Sequence, residues 1–207
     1  MKYNSYLALK LTGLLVVVFI LQLIFPTITE LFRLESVDVF SRPWILITSI
    51  FLHGSLGHLL LNGFALALFG SILENIIGSK KFLFVYFISG LVASIFASFF
   101  YNAALGASGA IFGVLGMLTV LRPTMTVWVS YLPMPMWVAA IVWAAQDILG
   151  VFIPDNIANL AHLGGLGVGI VIGFFYKEKK VNLPRKRKDI MLSKEEIEDF
   201  ERRSFGV

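Results

Sequence analysis

Two polar residues stand in glycine-rich runs that are otherwise apolar. Ser108 lies in Gly106-Ala107-Ser108-Gly109-Ala110-Ile111-Phe112-Gly113, at the mouth of a hydrophobic segment. His162 lies in Ala161-His162-Leu163-Gly164-Gly165-Leu166-Gly167-Val168-Gly169. A serine hydroxyl is a weak nucleophile until a neighbouring base takes its proton, and histidine is the usual base. Brought together, the two residues would carry out acyl transfer and hydrolysis where lipid is expected. The chain has three histidines and no cysteine. Thiolate catalysis, disulfides and Cys-ligated metals are therefore excluded. No His-Glu-x-x-His pattern exists, so neither a metal nor another cofactor is expected.

The elements that must position this pair are membrane spans. Of the 207 residues, 57% are hydrophobic and 14% charged, and the mean hydropathy is +0.83. A soluble domain carries about a quarter charged residues. The apolar residues fall into long blocks, which predicts an all-α polytopic bundle. We read six spans: Leu7 to Phe25, Leu52 to Ile77, Phe82 to Phe100, Ser108 to Leu121, Met134 to Phe152 and Ile157 to Tyr176. The fourth would rise only ~21 Å against a hydrocarbon core of ~30 Å. Its start should lie below the membrane surface, with the preceding loop dipping in among protein or a water-filled cavity.

Lys2, Lys10, Lys80, Lys81, Arg122 and the basic tail fall on one side, which the positive-inside rule makes cytoplasmic. Both termini are then cytoplasmic, in a multi-pass protein of the cell membrane. The length of the first span and the lack of a small-x-small site before Pro26 argue against a cleaved signal peptide. The stretch 26–43 mixes Leu31, Phe32, Leu34, Val37, Val39 and Phe40 with charges, which predicts a structure in the interface, followed by Trp44 in the interfacial belt. Residues 1–176 form the span domain. Residues 177–207 form a basic tail, with Lys177, Lys179, Lys180, Arg185, Lys186, Arg187 and Lys188 set to meet anionic headgroups. Within it, Ser193-Lys194-Glu195-Glu196 reads as a capping box opening a short polar helix.

With this topology spans two, four and six all run inward. His58, Ser108 and His162 then share one depth near the outer face, and Asn62 lies one turn below His58 on the same side. Gly165 and Gly169 share the His162 face. Gly109 and Gly113 form a small-xxx-small pair, extended by Gly116, that would let helices approach closely in lipid. Phe112, one turn below Ser108, is placed to stack on the His162 ring. In this reading His162 takes the Ser108 proton and returns it to the leaving amine. His58, Asn62 and the Ser108 amide donate to the oxyanion. No acidic third member is evident, so the pair would be a dyad. Individually, the residues have simpler readings. Asn62 fits an interhelical hydrogen bond, and His53 fits either a supporting or a solvated position. Glu74 fits a structural pair or loop anchor, and Asp147 a structural hydrogen bond near the outer interface.

Taken together these residues resemble the rhomboid family of intramembrane serine proteases. The resemblance covers Leu7 to Tyr176 and rests on Gly106-x-Ser108-Gly109, on Ala161-His162-x-x-Gly165-x-x-x-Gly169 and on His53-x4-His58-x3-Asn62. It implies Ser108 as nucleophile, His162 as base, and His58, Asn62 and the Ser108 amide as oxyanion hole. Gly106, Gly109, Phe112, Gly165 and Gly169 would act in support. It implies a minimal six-span prokaryotic type acting on single-span membrane proteins, with a fifth-span gate and a cap near Pro154 to Ile157. No nucleic-acid partner is implied, and membrane lipid is the surrounding partner. Oligomeric state is not readable. Where many members carry Trp-Arg, Trp44 is followed here by Ile45, which leaves one loop-stabilising contact without its residue. The alternatives are a catalytically inactive rhomboid-like protein that binds membrane clients, against which the intact Ser108 and His162 argue, and a small transporter, which lacks the expected paired repeats.

Overall fold

A computed structural model of the chain describes residues 6–153 and 157–181. The expected cap at Pro154 to Ile157 lies largely outside this range, as do most of the basic tail and the capping box at Ser193. Residues Met1–Lys177 group as one compact unit. In chain order the elements of the described residues are α1 (Leu7–Ile24), α2 (Thr27–Phe32), β1 (Leu34–Glu35), α3 (Ile45–Thr48), α4 (Leu56–Ala65) and α5 (Ser71–Ile77). There follow α6 (Ser79–Phe100), β2 (Ala103–Ala104), α7 (Ser108–Leu121), β3 (Thr126–Val129), β4 (Leu132–Pro135), α8 (Met136–Gly150) and α9 (Asn159–Val181). A π turn over Leu66–Gly70 joins α4 to α5, so that 56–77 runs as one long helix.

Among the described residues, four helices are long and apolar enough to cross a membrane: Leu7–Ile24, Leu56–Ile77, Ser79–Phe100 and the stretch Asn159–Lys177. Helices α7 and α8 are apolar but shorter. Several span boundaries differ from the sequence expectation, two of them for a visible local reason. The second span begins at Leu56 rather than Leu52, because Ser55 turns the chain and accepts the His58 N–H as a helix cap. The fifth begins at Met136 rather than Met134, because Met134 and Pro135 pair in an antiparallel hairpin with Thr126 and Val127. The hairpin turns on Ser130 and Tyr131, both at positive φ. Neither residue is Gly, Asn or Asp, the types that announce such a turn.

Helix α1 shows why the bundle needs lipid. Ala8, Leu11, Leu15, Phe19 and Gln22 recur at three- and four-residue spacing and are buried, while Val17, Ile20 and Leu23 on the other side are exposed. Leu61 and Phe64 on α4, Phe84 and Phe99 on α6, and Phe174 and Phe175 on α9 continue that apolar exterior. In water such a surface drives association; in hydrocarbon it carries no cost. Helix α7 is the centre, and most of its residues are buried. Its buried residues share one hydrophobic core with Leu15, Leu66, Leu73, Phe82, Tyr86 and Met136.

Two devices tie the ends of the bundle. At the cytoplasmic end of the predicted topology, the Glu74 carboxylate accepts from the N–H groups of Leu7 and Ala8 at 3.0 and 2.9 Å, and from the Ser79 hydroxyl. It thereby satisfies the first free donors of α1, which makes Glu74 an anchor between α1, α5 and α6. Lys81 lies 4.7 Å over the Tyr176 ring at the end of α9. Glu74→Ala strands buried donors and should lower stability by about 1–3 kcal/mol, read as an earlier thermal unfolding transition in detergent.

At the other end, the stretch 26–43 is not free. Leu34 and Glu35 pair antiparallel with Ala104 and Ala103, just before Ser108, and Leu34 is fully buried over Ile45, Ala93 and Ala97. Val37 and Phe40 remain exposed. An arginine two residues before Trp44 ties this stretch together. Arg42 pairs with Asp38 and donates to the carbonyls of Glu30 and Leu31 at 3.3 Å each.

Candidate active site

Ser108 is the first residue of α7. The turn that delivers it depends on Gly106, whose φ of +127° suits only glycine. A Cβ at that position would also stand 2.7 Å from His58 Cε1 and 2.8 Å from His58 Nε2. The same glycine therefore turns the chain and lets the His58 imidazole lie against the backbone beside Ser108. The Gly106 N–H donates to Ser49 O at 3.0 Å, which ties this loop to the segment after α3. At the start of α7 the leading N–H groups have no acceptor within the helix, which leaves them available as donors.

His58 and Asn62 are on α4. Asn62 is buried, and its Nδ2 donates to His58 O at 3.0 Å, so its bond is made within its own helix rather than between helices. His53 is buried, not solvated, and its ring meets the His58 ring edge-on at 5.0 Å. Its main chain is held by a side chain the sequence reading did not single out. Gln22 on α1 accepts from the His53 N–H at 3.0 Å and donates to His53 O at 3.2 Å. Gln22 is a buried amide in an apolar helix, and that polarity was the available signal.

His162 lies in the first turn of α9. Its Nε2 is 2.8 Å from Ser108 Oγ. The Phe112 ring stacks on the imidazole with centroids 4.5 Å apart and planes 10° from parallel. The seam between α7 and α9 makes this approach possible. A Cβ on Gly165 would fall 2.0 Å from Gly109 O, and one on Gly169 would fall 1.9 Å from Gly113 O. On the opposite side of α7, a Cβ on Gly109 would meet Ala93 Cβ at 2.3 Å. Main chains thus touch where side chains normally intervene. The Tyr101 hydroxyl accepts from the Leu160 N–H at 3.0 Å and closes the start of α9.

The expectation that no acidic group attends the pair does not hold. Asp147 Oδ1 is 2.9 Å from His162 Nδ1, and both side chains are nearly buried, at 8% and 12% exposure. The sequence showed a carboxylate late in an apolar helix, and such residues usually have a named task. What it could not show was the register of α8 against α9. That register depends on Gly150, where a Cβ would meet the Asn159 side chain at 2.6 Å. Asp147 is three residues before Gly150, and His162 three residues after Asn159. In two antiparallel helices, both therefore lie one turn along from that close contact.

Comparison with known proteins gives the family. The family model described as Rhomboid domain matches residues 41–179. The chain is 35% identical over 135 residues to RHOMBOID-like protein 1 of Arabidopsis thaliana, a match that covers 64% of this chain and 34% of that protein. It is 32% identical over 168 residues to Rhomboid protein 1, mitochondrial, of Saccharomyces cerevisiae, covering 76% of this chain and 48% of the relative. It is 36% identical over 149 residues to Rhomboid protease GluP of Bacillus subtilis, covering 69% and 27%. In each case the matched region is less than half of the relative's length. The match of that family model to residues 41–179, which hold every helix of the bundle from α3 to α8 and nearly all of α9, identifies the chain as a member of the rhomboid family.

Proposed function

We propose that the protein is an intramembrane serine endopeptidase that cleaves single-span membrane proteins in or near the outer leaflet. The observation that carries this reading is the 2.8 Å contact between His162 Nε2 and Ser108 Oγ. Ser108 Oγ attacks a peptide carbonyl carbon while its proton passes to His162 Nε2. The carbonyl oxygen becomes an oxyanion, for which the Ser108 N–H, His58 and Asn62 are the proposed donors; one such donor is typically worth ~10²–10³-fold in rate. The C–N bond then breaks as His162 protonates the leaving amine, and the acyl group stays on Ser108. Water attacks the ester, its proton goes to His162, and that proton returns to Ser108 Oγ as the acid product leaves.

The substrate class follows from the setting. A peptide bond inside a helix is shielded by its own hydrogen bonds, so a spanning substrate must unwind locally before Ser108 can reach it. Small and helix-breaking residues near the cut make that easier. The proposed location is a cell membrane, with both termini cytoplasmic and residues 1–176 as the protease domain. The relative named GluP is called a rhomboid protease, which supports the reading.

The test is labelling of the full chain by a fluorophosphonate probe in detergent and in liposomes. Wild type should label covalently on Ser108. Failure of folded wild type to label in either medium, with no cleavage of a single-span reporter, would place the protein among inactive client binders.

A further inference from the structure

We infer that Asp147 is a positioning residue for His162, so that the chemistry runs through a Ser108–His162–Asp147 row and not through an isolated pair. The inference rests on the Ser108–His162 reading above and extends it. Three geometric constraints converge on one imidazole. Ser108 Oγ meets Nε2 at 2.8 Å, the Asp147 carboxylate meets Nδ1 at 2.9 Å, and the Phe112 ring covers one face. An ionised carboxylate only accepts hydrogen bonds. Nδ1 must then carry the ring proton, which leaves the Nε2 lone pair facing the Ser108 hydroxyl. That is the tautomer a general base needs.

The carboxylate has no other evident task. A charged group among apolar helices is costly. Among the described residues, His162 is the group that hydrogen-bonds to the Asp147 side chain, and Oδ2 is buried without a hydrogen-bond partner. A serine or asparagine would link α8 to α9 at lower cost. What a carboxylate adds is stabilisation of the imidazolium that forms when Ser108 gives up its proton, in surroundings where charges are weakly screened. The Gly150–Asn159 contact one turn away fixes the helix register that this link requires. Asp147 touches neither substrate nor Ser108 in this role; it acts through His162.

The experiment compares full-length wild type, Asp147→Asn and Asp147→Ala in liposomes. The readouts are labelling rate per folded molecule, kcat and KM on a single-span reporter, and the imidazole 15N spectrum of histidine-labelled protein, assigned with a His162→Ala variant. Asp147→Asn should lower labelling and kcat by about 10²- to 10⁴-fold with KM unchanged. The His162 spectrum should move from a single Nδ1–H form to one containing the Nε2–H form. A purely structural role predicts loss of labelling only in proportion to lost folded protein, with an unchanged His162 tautomer; that result overturns the inference. Repeating the spectra in a Ser108→Ala background separates the two claims. An Asp147-dependent tautomer there supports the link even if wild type fails to label. Labelling of wild type and Asp147→Asn at equal rates sinks the link and leaves the protease reading standing.

Discussion

Ser108→Ala and His162→Ala are each expected to lower reporter cleavage by about four to six orders of magnitude, and the double variant by no more than either one. The reason is that the two groups act as one unit. With the hydroxyl gone, His162 has no proton to take. With the imidazole gone, Ser108 at its ordinary basicity is a poor nucleophile. Neither substitution should unfold the bundle. Ser108 begins a helix whose packing relies on Ala110, Ile111, Val114 and Leu118, and loss of one hydroxyl removes none of those contacts. His162→Ala gives up the Phe112 stack and the Asp147 bond, so its melting temperature should fall modestly and be measured alongside activity. Cleavage by Ser108→Ala at the wild-type rate would remove the serine mechanism altogether. Additive losses in the double variant would mean that the two residues act in separate steps.

Gly169→Val is expected to disrupt the protein without touching a reacting atom. The first side-chain carbon added there would lie 1.9 Å from Gly113 O and 2.7 Å from Gly113 C. Both are backbone atoms of the central helix, so neither can swing aside. Helix α9 must back away from α7, and His162 goes with it. Overpacking of this kind costs about 1–3 kcal/mol, often more when backbone is the obstacle. The expected result is a clear loss of thermal stability together with loss of probe labelling. Gly167→Ala is the matched control on the same helix. A Cβ there has nothing within 4 Å, and alanine favours helix over glycine, so stability and labelling should be retained. Equal behaviour of the two variants would show that the α7–α9 seam is looser than its geometry.

The amino-acid sequence by itself determined the class of the fold and much of the site. Long apolar blocks specify helices in lipid, because only helices or closed barrels satisfy backbone polar groups there. The run from Ser108 to about Leu121 was readable as a short apolar helix, and α7 spans Ser108–Leu121. Four-residue spacing placed Phe112 beneath Ser108 and set Gly165 and Gly169 on the His162 face. Each of those is local information, carried by the helical period. Tertiary structure alone decided what met across helices. The Asp147–His162 contact depends on how α8 and α9 register at Gly150 and Asn159. The grip of Gln22 on His53 depends on α1 lying against the loop before α4. The contacts of Arg42 with Asp38 and with the carbonyls of Glu30 and Leu31 depend on the fold of the stretch 26–43. None of these has a period to read. They follow from close packing in three dimensions, where a buried polar group is stable only beside the one partner that geometry brings within hydrogen-bonding distance.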